Sequence, residues 1–132
     1  MLRRVPPLLL PVLADLAVVV LFAAIGRSAH EHGDSVAGVL STAWPFLVGT
    51  AVGWLVAART VTAAWLAALR LWPTGAIVWA CTWALGMVLR GVTGGGLAPS
   101  FLLVAALVLA AMLAAWRGLA RLLLHPGTLT QD

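Results

Sequence analysis

Apolar runs and the polar, glycine or proline residues that interrupt them divide the chain into four long hydrophobic stretches, over about residues 8–27, 42–59, 74–91 and 98–117. Proline suits the first turn of a helix and disrupts an interior, so the first regular helix is expected to begin near Pro11. Trp72-Pro73 marks a break before the third stretch. At 1.5 Å per residue each stretch matches a hydrocarbon core about 30 Å thick, the second and third at the short end. Membrane-spanning strands would show about ten residues of alternating polarity, a pattern missing here. The expected fold is all-α: a polytopic membrane protein forming a single four-helix transmembrane bundle over residues 1–132.

Composition sharpens this reading. Of 132 residues, 63% are hydrophobic and 9% charged, and the mean hydropathy is +1.07. Soluble domains carry about 25% charged residues, so this chain takes lipid as its solvent. All eight basic residues are Arg. With the excess of Ala, Val, Leu and Gly, this points to a GC-rich prokaryotic genome. The net charge of +4 invites a nucleic-acid reading, but the Arg residues lie scattered at span ends instead of clustering on one face, which excludes it. Cys81 is the lone cysteine, so an internal disulfide is ruled out and the thiol is expected to act as a small hydrophobe. Arg3 and Arg4 ahead of an apolar run suggest a signal peptide, yet the run is about twenty residues long and contains Asp15. It is read as a retained first span.

Arg placement predicts orientation. Arg3, Arg4, Arg59, Arg70, Arg117 and Arg121 fall on one side, and only Arg27 and Arg90 on the other. The positive-inside rule then puts both termini in the cytoplasm and the chain in the cell membrane. The connection over 60–71 has Val61, Trp65, Leu69 and Trp72 at roughly helical spacing, consistent with a short interfacial helix or an extension of the second span. A faint repeat pairs Pro45-Phe46 with Pro99-Ser100-Phe101 and Trp54 with Trp116. Two helical hairpins related by an axis along the membrane normal would explain it, as would chance in an Ala/Leu-rich sequence.

Few residues can carry chemistry. Asp15 lies inside a span, about 18 Å from Arg27 along a helix, where Arg59 or Arg117 can reach it. It reads either as a proton- or cation-binding group or as a structural partner, and a cap of a late-starting helix is a third reading. Arg27 and Arg90 stand where positive charge is disfavoured. They form either an ion-pair latch with Glu31 and Asp34 or an anion-binding mouth. His30-Glu31-His32-Gly33-Asp34 resembles a metal site only superficially: residues two apart do not share a helix face, and a solvated loop is the simpler reading. Neither metal nor cofactor is expected. Trp79, Trp83, Gly86 and Arg90 form one stripe of the third helix, and Asp15, Phe22 and Gly26 one stripe of the first. If the two stripes face each other they line a cavity; otherwise the indoles pack between helices. Gly49-x-x-x-Gly53 is a small-residue face for close helix contact. Catalytic motifs are absent, so an enzymatic reading has no anchor.

With these residues assembled, the chain resembles a family of short bacterial and archaeal membrane proteins known as domain of unknown function 3054 (DUF3054). The resemblance rests on Asp15, the run Phe22-Ala23-Ala24-Ile25-Gly26-Arg27-Ser28-Ala29-His30, Pro45-Phe46-Leu47-Val48-Gly49, Arg90, Phe101 and Trp116-Arg117. It implies a four-helix membrane protein, carries no assigned activity, and draws Asp15, Arg27, His30 and Arg90 together as a set. The reading carried forward is a transport or channel-like protein for an anion or proton-coupled solute. In it Asp15, Arg27, His30, Arg90, Trp79 and Trp83 are candidate pathway residues, while Glu31, Asp34 and Arg117 form ion pairs. The rival is a non-catalytic subunit, assembly factor or lipid- or pigment-binding component of a larger complex. The partners expected are the bilayer and either further copies of this chain or another membrane protein.

Overall fold

The computed structural model describes residues 9–29, 35–60 and 68–124. Four helices cross the molecule: α1 (Leu9–Ala29), α2 (Val36–Thr60), α3 (Ala76–Val92) and α4 (Pro99–Leu124). Each helical segment is long and apolar enough to span a membrane, and there is no strand among the described residues. The chain is a four-helix transmembrane bundle. A helix satisfies its own backbone donors and acceptors, which is why apolar segments adopt this form in lipid.

The helices run up and down. The start of α1 meets the ends of α2 and α4 through Asp15, Trp54 and Arg117. At the other end, Arg27 of α1 reaches Thr42 of α2. We call the first the terminal end and the second the hairpin end. Neighbours in the bundle are α1 with α2, α2 with α3, α3 with α4, and α4 with α1, the α2–α3 seam being the most extensive. The helices α1 and α3 therefore lie across a diagonal.

The seam is tight because it is lined by small residues. A Cβ at Gly49 would sit 2.7 Å from the Cys81 carbonyl oxygen and 2.9 Å from the Thr82 Cα, and one at Gly53 would sit 3.0 Å from the Val78 Cα. Only glycine lets the two backbones approach this closely, the principle behind small-xxx-small helix pairs. The contact is internal to the chain. Across it the Thr50 and Thr82 hydroxyls are hydrogen-bonded at 2.8 Å, both fully buried.

Two departures from the sequence-based boundaries concern helix starts. α2 begins at Val36, because Ser35 accepts a hydrogen bond from the Gly38 N–H through its hydroxyl, 3.1 Å, and opens the helix there. Pro45 lies inside α2, where it lacks the N–H that would bond the Ser41 carbonyl. Before α3, the residues Leu71–Gly75 form one wide turn in which the Gly75 N–H donates to the Arg70 carbonyl at 3.0 Å. Trp72 is extended there, φ −127° and ψ 133°, as expected of a residue preceding proline. The connection read as a short interfacial helix or an extension of the second span falls largely on residues 61–67, outside the described residues.

The core is apolar at mid-depth and toward the hairpin end. Val19, Phe22, Phe46, Met87, Ala105 and Leu109 form one cluster, within which Phe22 and Phe46 meet edge to face at 5.5 Å. A smaller cluster of Trp54, Ala68 and Val78 lies at the terminal end.

Candidate functional site

Polar groups collect at two places, one at each end of the bundle. At the terminal end the centre is Asp15, fully buried six residues into α1. A carboxylate in this setting requires partners, and it has four donors. Arg117 of α4 makes a two-pronged pair, Nη1 to Oδ1 at 2.9 Å and Nη2 to Oδ2 at 2.8 Å. The Trp116 Nε1–H donates to Oδ1 at 2.7 Å, and the Trp54 Nε1–H of α2 donates to Oδ2 at 2.9 Å. The guanidinium is likewise enclosed. Its Nε donates to the Ala68 carbonyl at 3.2 Å and its Nη1 to the Leu113 carbonyl at 3.3 Å, and it is fully buried. Each oxygen of Asp15 accepts two hydrogen bonds, which ties α1, α2 and α4 together and draws in the chain just ahead of α3.

Of the two sequence-level partners for Asp15, Arg117 fills the role. Arg59 is exposed. It lies five residues beyond Trp54, and at about 100° per residue it points to a different face of α2. Nor does Asp15 cap a helix: it lies within α1, six residues beyond Leu9, and among the described residues the carboxylate accepts only side-chain donors. The indoles of Trp54 and Trp116, aligned in the faint repeat but not singled out as partners, are the residues the sequence reading missed. An indole N–H in an apolar segment needs an acceptor, and Asp15 is the one acid among the described residues.

At the hairpin end lies a cavity of about 450 Å³. Its floor and walls are apolar, with Phe22, Phe46, Phe101 and Val108 contributed by α1, α2 and α4. Its polar groups are Arg27, Thr42 and Arg90. Arg27 Nη1 donates to the Thr42 hydroxyl at 3.2 Å, and Thr42 donates onward to the Gly38 carbonyl. Arg90 Nε donates to the Gly96 carbonyl at 3.0 Å, and its guanidinium carbon stands 4.5 Å over the centre of the Phe101 ring. This stacking and single anchor hold the guanidinium in place. Its two Nη groups make no hydrogen bond to any described residue, and no described carboxylate pairs with it.

The two stripes read from the sequence are divided between these places. Phe22 and Gly26 share the cavity with Arg90, while Asp15 belongs to the other end. Trp79 and Trp83 turn toward α4, their Nε1–H groups donating to the Ala106 and Leu102 carbonyls at 2.9 and 3.0 Å. Neither lines the hairpin-end cavity. His30, Glu31 and Asp34, together with His32, lie outside the described residues. Among the described residues no group of His, Cys, Asp and Glu could hold a metal ion.

The family model described as protein of unknown function (DUF3054) matches residues 12–120. The chain belongs to this family, and the matched segment contains both polar sites. No curated protein and no solved structure matches the chain.

Proposed function

We propose that this DUF3054 member is a small transport or channel-like membrane protein that takes up an anion at the hairpin end. The observation that carries this reading is the Arg90 guanidinium, fixed over Phe101 at a cavity of about 450 Å³ with two donor groups turned to no described residue. A guanidinium fork matches a carboxylate or phosphate in shape and charge. The volume falls in the range of small-molecule sites, about 300–1,000 Å³. Arg27 adds positive charge at the same mouth. Asp15, enclosed by four donors, serves as the anchor of the terminal end in this reading. In this reading that end faces the cytoplasm, as the positive-inside rule applied to the Arg distribution suggests.

The test is flux in proteoliposomes containing the full chain, with short-chain carboxylates and inorganic phosphate as trial anions. Arg90→Gln is expected to abolish anion flux while the protein remains folded. Undiminished flux in that variant ends the proposal.

A second reading, a lipid- or pigment-binding subunit of a larger complex, is favoured by one observation. The cavity does not extend to the terminal end, where Asp15 and Arg117 are fully buried. Native mass spectrometry of gently extracted protein separates the two: a homo-oligomer supports transport, and a stoichiometric partner protein supports the subunit reading.

A further inference from the structure

The position of the hairpin-end cavity, beyond its charge, says what kind of anion it suits. Its long walls come from α1 and α4, the first and last helices, whose mutual packing is far less extensive than that of α2 with α3. Ile25 of α1 and Val104 of α4 both line it, and both are about half exposed, 53% and 54%. In a membrane-spanning bundle these exposed apolar side chains face acyl chains. The cavity therefore opens sideways into the bilayer between α1 and α4, as well as lying beneath the polar groups of the hairpin end.

Polar and apolar groups are segregated inside it. Arg27 and Arg90 lie in the last turns of their helices with Thr42 beside Arg27, and Phe22, Ala105 and Val108 continue deeper. A fully water-soluble anion makes no use of that depth. A two-chain lipid exceeds a cavity of about 450 Å³. One guanidinium with two undirected Nη donors matches one singly charged, two-oxygen head group.

We infer that the cavity between α1 and α4 binds a single-chain anionic amphiphile, a long-chain carboxylate, which enters laterally from the bilayer. Its carboxylate pairs with Arg90 and its alkyl chain lies against Phe22 and Val108. This rests on the anion-uptake reading above and specifies its ligand. Lateral entry removes the need to pass apolar substance through water, and the aromatic walls replace contacts the chain made with lipid.

The experiment is photolabelling of the full chain in nanodiscs with a diazirine-bearing long-chain fatty acid, mapped by peptide mass spectrometry. Labels are expected to concentrate on Phe22, Phe101 and Val104, and to be displaced by unlabelled fatty acid but not by its methyl ester. Arg90→Gln is expected to lower this labelling by about tenfold or more, the ratio that a lost charge-assisted hydrogen bond corresponds to. Val104→Trp, which narrows the lateral opening at an exposed position, is expected to lower it as well. Even labelling of lipid-facing residues such as Leu13 and Leu107, unaffected by either variant, overturns the inference. If short-chain anion flux still depends on Arg90 in that case, only the amphiphile assignment falls. If Arg90→Gln changes neither labelling nor flux, the anion reading falls with it.

Discussion

Arg117 and Arg90 are the same residue type, Arg90 in the last turn of α3 and Arg117 about two turns short of the end of α4, and the bundle treats them in opposite ways. Arg117 is closed in, with a carboxylate across from it and two backbone carbonyls at its flanks. Arg90 is held by one carbonyl and one aromatic face beside an open cavity. The difference comes from what the facing helix supplies. α1 brings Asp15 to Arg117, whereas at the level of Arg90 it brings Phe22 and Gly26. A buried cation with its counter-ion built in works as a clasp. One with donors left over is the basis of the anion-uptake proposal. Within one short chain, the comparison separates a charge satisfied inside the bundle from one whose Nη donors turn to no described residue.

The sharpest attempt to break this comparison is removal of one partner from the clasp. Arg117→Ala leaves a buried carboxylate with only its two indole donors, and is expected to destabilise the bundle by about 3–5 kcal/mol in a detergent-denaturation titration. The double change Asp15→Leu with Arg117→Leu removes both charges and is expected to recover much of that loss. A single variant as stable as wild type would mean that the pair is not a clasp.

A smaller effect is expected from Trp54→Phe, which deletes one hydrogen bond to Asp15 while keeping most of the aromatic volume. Hydrogen bonds to charged groups are worth about 1.5–3 kcal/mol, and the same titration reads the loss. A wild-type transition would show that Arg117 and Trp116 suffice to satisfy the carboxylate.

The smallest stability effect belongs to Arg90→Gln. Its partners are one exposed carbonyl and a ring face, so a loss below about 1 kcal/mol is expected. Its consequence is to appear in ligand binding instead. If this variant unfolds as readily as Arg117→Ala, the two ends are structurally equivalent and do not divide the labour.

Parts of both sites were legible in advance. A lone carboxylate within a span had to find a partner, and its depth along α1 restricted the choice to arginines near the same end, leaving Arg59 and Arg117. Arg27 and Arg90 stood out because they sit where basic residues are disfavoured. What could not be read was the company these groups keep. Trp79 and Trp83 share a helical stripe with Arg90, yet their indoles turn to α4 carbonyls, because α4 and not α1 adjoins α3. Trp54 and Trp116 carried a weak signal as N–H donors in apolar segments. That signal is common to every tryptophan in the spans and does not name an acceptor.

That the chain is a membrane protein of four spanning helices could be read from its residues alone. That property is local: an apolar segment in lipid satisfies its own backbone by forming a helix, whatever its neighbours do. The sequence also shows which residues are too costly to leave unpaired in that solvent. It took the packing of the helices to settle which arginine closes on Asp15, that Gly49 and Gly53 seat α3, and that α1 and α4 stand apart around a cavity. Those outcomes depend on the rotation of each helix about its axis and on which helices adjoin. Both are set by the fit of two surfaces from distant parts of the chain, and neither helix carries that fit alone.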